Sequence, residues 1–248
     1  MPNFSRSVLL ALSLIVIAAL LPAALFAQDK STLRPVRVVI ASSKLQVAGD
    51  KPLLFRLLTV VIQPGKTATF AGAQGFVFVA SGKVDLDAAA EKLALAEGEA
   101  RYLAAGTKAT LRASGPKPAT VLHYLLAPAA AIDENPYAGA VKVTELYRSK
   151  DPTPLSPGPH EFSLTRVSSP PNAPAPPMHH RSGAALYRVL SGTATIHMQG
   201  RDEPRSAGAV QYEPNGFIHT WENTGKVPLV LLQANISAEG VPEIIWLK

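Results

Sequence analysis

Three histidines in the second half of the chain have the type and spacing of metal ligands. His179 and His180 are adjacent, and His219 follows a Pro-Asn-Gly turn that begins at Pro214. Imidazole nitrogen is a good ligand for zinc, iron, copper and nickel. Proline fixes φ in such a turn and Gly216 accepts a positive φ, so the turn sets His219 at the start of the next strand. The three side chains therefore predict either a metal centre or a polar pocket.

Side chains suited to binding a small molecule lie in the same region: Arg181, Tyr187, Tyr212 and Trp221. Arginine supplies a permanent cation, and tyrosine and tryptophan combine an apolar ring with a polar group. Tyr102 is the counterpart of Tyr212 in the first half of the chain, which favours a structural hydroxyl bond for both. No catalytic residue is assigned, because the chain has no cysteine and no serine in a nucleophile-elbow pattern.

The segments around these residues occur twice along the chain. Gly82 corresponds to Gly192 (192 − 82 = 110), and the same offset relates Gly98 to Gly208 and Gly106 to Gly216. A constant offset over such a span indicates two copies of one folding unit. The first copy has Thr69, Phe70 and Ala109 at the positions of the three histidines. A polar site is therefore predicted in the second copy and a structural or partner unit in the first.

Short apolar runs separated by glycine and proline turns predict an all-β fold for both copies. The predicted ranges are 36–135 and 147–248, and the Pro-, Gly- and Ser-rich segment 133–159 between the copies is predicted to be a linker with little packing of its own. Asp87–Leu95 has a helical composition, but its counterpart in the second copy contains Gly200 and Pro204. We therefore expect a hairpin there in both copies.

A motif in the second copy is similar to a known family. Gly208 to Asn223 has the form G-x5-P-x-G-x2-H-x3-N, which matches the second signature of the cupin superfamily. His179-His180-Arg181, followed by a strand that ends at Gly192, resembles the first signature. The chain resembles a bicupin of the exported cupin type-2 kind. The resemblance implies two antiparallel jelly-roll β-barrels in tandem, which pack against each other or across a homodimer.

The resemblance also implies how a metal would be held. In metal-binding cupins the histidine at the position of His219 is a ligand that points into the barrel. In the frame that ends at Gly192, His179 fills the first histidine position, Arg181 fills the second, and Ala185 stands where a glutamate is expected. A β-bulge at His180 would instead give a set of three histidines for one divalent iron, manganese, nickel, copper or zinc ion.

Three interpretations of these residues stay open. One is a three-histidine metal site. The second is a metal-free pocket in which Arg181 and the imidazoles bind an anionic or hydroxyl-bearing ligand. The third is a set of core histidines left from an ancestral site. The matching functions are small-molecule binding with a weak metal site, a metal-dependent dioxygenase or isomerase, and a non-catalytic structural barrel.

The first residues predict export. Arg6 precedes an apolar run from Val8 to Leu21, and small residues lead to Ala27, so residues 1–27 are interpreted as a cleaved signal peptide. The mature chain is expected in the periplasm or the medium, with no membrane association. The net charge is +6, but the basic residues are scattered and form no stripe, so no nucleic-acid partner is predicted.

Overall fold

The computed structural model describes residues 33–49, 52–89, 91–151, 153 and 155–247. The predicted signal peptide lies outside them. The strands are β1 (Val36–Val47), β2 (Leu53–Ile62), β3 (Thr67–Ala71), β4 (Gln74–Ser81), β5 (Lys83–Ala88), β6 (Glu91–Ala96), β7 (Ala100–Leu103), β8 (Lys108–Ala113), β9 (Ala119–Pro128), β10 (Tyr137–Gly139), β11 (Val141–Arg148), β12 (Gly158–Ser169), β13 (His179–Arg181), β14 (Ala184–Ser191), β15 (Thr193–Met198), β16 (Arg201–Ser206), β17 (Val210–Glu213), β18 (His219–Asn223), β19 (Leu229–Ala238) and β20 (Ile244–Trp246). One 3-10 turn, Ala129–Ala131, follows β9.

The strands form four antiparallel sheets of five strands each. The first barrel is built from β11-β2-β9-β4-β7 and β10-β3-β8-β5-β6. The second is built from β1-β12-β19-β14-β17 and β20-β13-β18-β15-β16, so every strand of one barrel has a counterpart in the other. The registers agree as well. Val77 pairs with His123, and Tyr187 pairs with Gln233, at an offset of 110 in both cases (187 − 77 and 233 − 123). The all-β prediction and the two-barrel plan are confirmed.

The two barrels exchange their leading strands. β1 precedes the first barrel in sequence but pairs with β12 of the second, and β11 precedes the second barrel but pairs with β2 of the first. The exchange is symmetric: Val38 pairs with Arg166, and Arg148 pairs with Arg56, again at an offset of 110. An unpaired sheet edge exposes backbone groups that need partners. Each copy therefore completes the edge of the other.

The segment between the copies forms part of the first barrel. The range 133–159 was expected to be a linker with little packing, and that expectation is wrong, because β10 and β11 lie in it and both join the first barrel. Tyr137 in β10 is buried. The alternation of apolar and polar residues from Val141 to Tyr147 carried this signal, but the surrounding prolines and glycines masked it. β1 and β11 each pair with the barrel of the other copy, so a continuous range of sequence does not coincide with one barrel. The domain ranges 36–135 and 147–248 therefore stay predictions.

The first barrel has an apolar interior where the second copy has its histidines. Phe70 and Ala109 are buried in its core and face each other across β3 and β8. The Asp87–Leu95 segment forms the β5–β6 hairpin, as expected from its counterpart; Ala90 lies outside the described residues. Among the described residues, no helix has the length and apolar composition needed to cross a membrane.

An aromatic core joins the two barrels. The rings of Phe76 and Phe162 lie 4.5 Å apart, and Phe55 lies 6.2 Å from Phe162. Phe162 comes from β12 of the second barrel, and the other two rings come from β2 and β4 of the first. Burial of rings of this size is among the largest single contributions to a core. The barrels are thus packed against each other through a shared apolar interface.

One histidine of the first barrel is buried among rings. His123 has no exposed surface, its ring lies 4.7 Å from that of Phe70, and its Nδ1 lies 2.7 Å from the Tyr137 hydroxyl. Its Nε2 is buried with no hydrogen-bond partner among the described residues. Because burial disfavours the charged imidazolium, the pKa of His123 falls to about 3.

We expect His123 to make the stability of the protein depend on pH. The pKa of His123 in the folded protein is below its ordinary value. Between about pH 6.5 and pH 3 the unfolded chain therefore binds a proton at His123 and the folded chain does not, so stability is lost as the pH falls through this range. His123→Gln, which copies Gln233 at the equivalent position, removes this titration. Urea denaturation at pH 7 and pH 5 should show that the wild type loses about 2 kcal/mol more than the variant. Parallel losses in the two proteins would contradict the assignment.

Candidate functional site in the second barrel

His179 and His219 face each other inside the second barrel. They are directly paired across β13 and β18, and their ring centroids lie 4.6 Å apart. The turn before β18 places His219, and Gly216 in that turn has φ of 78°, as its sequence position required. His219 has no exposed surface, and His179 is 6% exposed. The convergence of these two imidazoles follows the sequence-based expectation.

Backbone carbonyls orient both rings in the same way. His179 Nδ1 donates to the Pro177 carbonyl at 3.1 Å, and His219 Nδ1 donates to the Phe217 carbonyl at 2.9 Å. A carbonyl only accepts, so Nδ1 carries a proton in each ring. The pKa of His179 is lowered to about 4, chiefly by burial. The hydrogen bond to Pro177 and the charge of Glu213 oppose this shift, and the neighbouring His219 and Arg181 add to it. His179 is therefore a neutral hydrogen-bond acceptor near pH 7.

The structure does not bring His180 to the other two histidines. It lies between His179 and Arg181 on β13, so it points to the opposite face of the strand. Its Nδ1 lies 3.0 Å from the Arg181 carbonyl. Within the described ranges, no group of three or more His, Cys, Asp or Glu side chains is arranged to hold a metal ion.

Arg181 is the buried cation of the site. Its side chain is among the largest fully buried in the described chain, at 1% exposure. Nη1 contacts Glu243 at 3.2 Å, Nη2 contacts Gln233 at 3.3 Å and also donates to the Tyr187 hydroxyl, and Nε lies 3.4 Å from Glu213. A buried charge is costly unless it is paired and hydrogen-bonded. Burial lowers the pKa of Arg181, but these partners outweigh it, and the guanidinium stays charged.

Glu213 is the residue that sequence reasoning missed. It lies on β17 directly opposite Ala185, which is the position where the family resemblance implied a glutamate. Its carboxylate has no exposed surface, accepts from Trp221 Nε1 at 2.8 Å and contacts Arg181. Burial by itself raises the pKa of this carboxyl, but His219, Arg181 and Trp221 together hold it below its usual value. In the sequence, Glu213 is marked only by its position just before the Pro214 turn. The pairing of Glu213 with Ala185 across β17 and β14 is what shows that it belongs to the site.

A short contact links Glu213 to His219. Oε1 lies 2.8 Å from His219 Nε2, and neither side chain is exposed. The angles are not those of a hydrogen bond, and Nε2 has no hydrogen-bond partner in the described part of the chain. We therefore treat the contact as electrostatic. Because Nδ1 already holds a proton, an attractive contact at Nε2 requires one further proton on either partner.

The two ends of the described chain complete the charge cluster. Arg37 of β1 contacts Glu243 at 3.0 Å and Gln233 at 3.1 Å. Glu243 immediately precedes β20, which pairs with β13. Two arginines and two glutamates, Arg37, Arg181, Glu213 and Glu243, therefore balance one another. The exchange of β1 is what brings Arg37 to this barrel.

A pocket of about 540 Å³ opens next to this cluster. Its walls include the rings of Tyr187, Trp221 and Trp246, and its polar margin includes Arg34, Arg37, His179 and Arg181. Tyr187 and Trp221 are stacked with centroids 5.4 Å apart, and Trp246 lies with its edge toward His179 at 5.0 Å. Leu229, Leu231, Val167 and the proline segment 174–177 supply apolar walls. The predicted residues His179, Arg181, Tyr187 and Trp221 thus share one pocket.

Tyr212 does not lie in this pocket, in contrast to its prediction as a ligand-binding residue. It alternates with Glu213 on β17, so the two side chains point to opposite faces. Its ring packs between the barrels, 6.0 Å from Phe55, and its hydroxyl lies 3.3 Å from Thr153 Oγ1. This is the structural hydroxyl bond expected from the equivalence with Tyr102.

Residues 165–235 match the family model described as "Cupin domain". The matched segment lies within the second barrel, from β12 to β19. The matched segment contains His179, Glu213 and His219, and the first barrel repeats its strand order. The chain as a whole has the two-barrel fold of a bicupin.

Several known proteins similar to this chain have names that refer to oxalate. The oxalate-binding protein of Thermotoga maritima is 33% identical over 69 residues, which are 28% of this chain and 57% of that protein. The chain therefore spans little more than half the length of this curated relative. The Lactobacillus farciminis oxalate decarboxylase formate complex has a TM-score of 0.55 at 14% identity, over 88% of this chain and 87% of that one. Oxalate decarboxylase of Bacillus subtilis, described with Mn(II) centres, has a TM-score of 0.52 at 13% identity, over 88% and 78%. At such identities the two structures show the fold alone.

The residues present do not fit a divalent metal ion such as the Mn(II) that is named for the Bacillus subtilis protein. His179 offers its Nε2 atom, but the Nε2 atom of His219 contacts Glu213, and the third imidazole, His180, lies on the other face of β13. The carboxylate of Glu213 is engaged by Arg181, whose guanidinium cannot lose its proton. A fixed cation beside the ligand atoms opposes a second cation there.

Removing the charge of Glu213 should destabilise the protein strongly. Glu213→Gln leaves the buried Arg181 without its most buried counter-ion, and breaking such a pair costs about 3–5 kcal/mol. Glu203, which pairs with Arg205 at the surface, provides the control, and Glu203→Gln should leave the urea midpoint nearly unchanged. Similar midpoints for the two variants would show that Arg181 does not depend on Glu213.

Proposed function

We propose that the second barrel binds a small organic molecule that has an apolar, ring-containing body and a hydroxyl or anionic group. The observation that supports this function is the 540 Å³ pocket beside the Arg181 cluster. Pockets of about 300–1,000 Å³ with mostly apolar walls and a few polar groups are typical of small-molecule sites. The first barrel has Phe70 and Ala109 in the corresponding interior positions, which supports a structural role for it.

The walls of the pocket favour a flat apolar body. Tyr187 and Trp221 form a stacked pair in its lining, and Trp246 of β20 adds a third ring. Aromatic rings bind other rings through stacked or edge contacts with a favourable energy beyond that of area burial. The Pro174–Pro177 segment adds a rigid apolar rim.

The polar margin favours a hydroxyl or an anionic group on the ligand. His179 presents an unprotonated Nε2, which accepts a hydrogen bond from a hydroxyl. Arg34 and Arg37 line the mouth and place positive charge there. Arg181 is already held by its protein partners, so it supports the floor of the pocket electrostatically and leaves direct ligand contacts to the other groups.

Oxalate, which the Thermotoga maritima relative is named for, is a small dianion without an apolar body. It would contact few of the ring and proline walls of this pocket. We therefore propose a larger ligand than oxalate for this chain, and a binding function that requires no metal. A metal-dependent dioxygenase or isomerase reaction has no support from the arrangement of Arg181 and Glu213.

The aromatic anion 1-anilinonaphthalene-8-sulfonate is a suitable probe for this proposal. Both tryptophans of the chain, Trp221 and Trp246, line the pocket, so their fluorescence reports on this site alone. We expect saturable energy transfer from tryptophan to the probe at one site per chain. Oxalate at the same concentration should leave the fluorescence unchanged.

A variant that fills the pocket provides the control. Ala175 lies on the apolar rim, and Ala175→Phe should weaken probe binding by about tenfold or more, since loss of about 1.4 kcal/mol corresponds to that factor. Ala138→Phe alters the corresponding mouth of the first barrel and should have no effect. Equal affinity in the wild type and in Ala175→Phe, or equal loss in both variants, would reject the second barrel as the binding site.

We further propose that the protein is exported. The sequence of residues 1–27, which has a basic start, an apolar stretch and small residues before Gln28, supports this localisation. Expression of the full chain in a bacterial host should yield a periplasmic protein whose N-terminal sequence begins near Gln28. A full-length chain that starts at Met1 and remains in the cytoplasm or the membrane fraction would contradict export.

A further inference from the structure

We propose that Arg181 replaces a metal ion in this barrel: its guanidinium is the fixed cation that pairs with Glu213, and Glu213 in turn contacts His219, which is paired with His179. The inference has a direct consequence. A single substitution, Arg181→His, should convert the cluster into a divalent-cation site. It goes beyond the proposed function, because it holds whichever molecule binds in the pocket.

The orientation of the two imidazoles is the first support. His179 and His219 both donate Nδ1–H to a carbonyl two residues earlier, which turns the Nε2 atom of each ring away from the backbone. Metal-bound histidines are generally held in this way, with the second nitrogen donating to a carbonyl or a carboxylate. The two rings are tilted by 54° with their centroids 4.6 Å apart, so their Nε2 atoms belong to one polar cluster inside the barrel.

The carboxylate is the second support. The family resemblance left position 185 without its glutamate, since alanine stands there. Glu213 lies directly across the strand pair from Ala185 and has no exposed surface. Its Oε1 lies 2.8 Å from His219 Nε2. The neighbouring strand β17 thus supplies a carboxylate to the same face of the barrel.

The guanidinium is the third support. Arg181 shares a face of β13 with His179, because the two positions are two residues apart on one strand. Its Nε lies 3.4 Å from Glu213, and its other nitrogens are held by Tyr187, Gln233 and Glu243. A side chain held at this many points supplies positive charge at one place and cannot be displaced by a second cation without leaving buried partners unpaired.

The first barrel shows that these groups occur together or are absent together. At the offset of 110, Leu103 corresponds to Glu213 and Ala109 to His219. Gly72 corresponds to Arg181, because the Gly106 N–H donates to the Gly72 carbonyl as the Gly216 N–H donates to the Arg181 carbonyl. None of the three has a charged side chain, and Leu103 and Ala109 are buried in the first core. A barrel without the cation has also no carboxylate and no imidazole at these positions. The charges of the second barrel therefore form one unit.

Arg181→His should complete a set of donors for a transition metal. Histidine at position 181 would lie on the same face of β13 as His179, beside Glu213 and His219. Three imidazoles with one carboxylate suit cobalt, nickel, zinc and manganese. The experiment uses the full chain without a histidine tag, Co²⁺ and Mn²⁺ as probes, and metal analysis after gel filtration.

The expected result is that the wild type retains almost no metal and Arg181→His retains close to one ion per chain. Co²⁺ bound to the variant should show visible d–d absorption and raise its thermal midpoint, because a ligand that binds only the folded state stabilises it. Arg181→His/His219→Ala should lose both effects. Near-stoichiometric metal in the wild type, or a folded Arg181→His variant that binds none, would overturn the inference.

A charge-balance experiment keeps the inference testable if Arg181→His does not fold. Arg181→Met leaves Glu213 buried without its cation, whereas Arg181→Met/Glu213→Gln removes both charges. We expect the double variant to have a higher urea midpoint than Arg181→Met alone, since the carboxylate depends on the guanidinium. A double variant that is less stable than Arg181→Met would show that Arg181 does not compensate Glu213.

Discussion

The buried pair of Arg181 and Glu213 is the interaction on which the rest of the second barrel depends. Both side chains are removed from water, so neither charge is tolerated without the other and without further hydrogen bonds. The additional partners are drawn from several strands, among them Gln233 on β19 and Glu243 before β20. A core that contains this pair must therefore fix the register of those strands as well as their packing. The same strands line the pocket, so the fixed register also fixes the positions of the pocket walls.

The exchange of leading strands explains how the site acquires a wall from the other copy. β1 belongs to the first copy by sequence, yet it pairs with β12 and carries Arg37 to Glu243. The reciprocal placement of β11 on β2 completes the first barrel. Together with the contact between Phe76 and Phe162, these pairings make the two barrels one structural unit, in which each copy closes a sheet that the other leaves open.

The comparison of the two barrels separates fold from function within one chain. Both have the same strand order, but the interior of the first is apolar around Phe70, whereas the second has a charged cluster beside a pocket. The fold is therefore compatible with an inert interior and with a binding site. The oxalate decarboxylases of Lactobacillus farciminis and Bacillus subtilis share this fold. In the present chain a guanidinium, that of Arg181, pairs with the buried carboxylate of Glu213.

The sequence by itself determined the all-β class, the internal repeat, the turn that places His219 and the assignment of the polar site to the second copy. These properties follow from local rules: alternation, turn-forming residues and a constant offset. Which residues meet across strands was decided only by the tertiary structure. Glu213 became part of the site because β17 pairs with β14 in the register that sets it opposite Ala185, and Tyr212 left the site because it is one residue out of phase. Arg37 joined it because a sheet edge is completed by a strand from the other copy. Such pairings depend on backbone hydrogen bonds between segments far apart in sequence, and no local pattern of residue types encodes them.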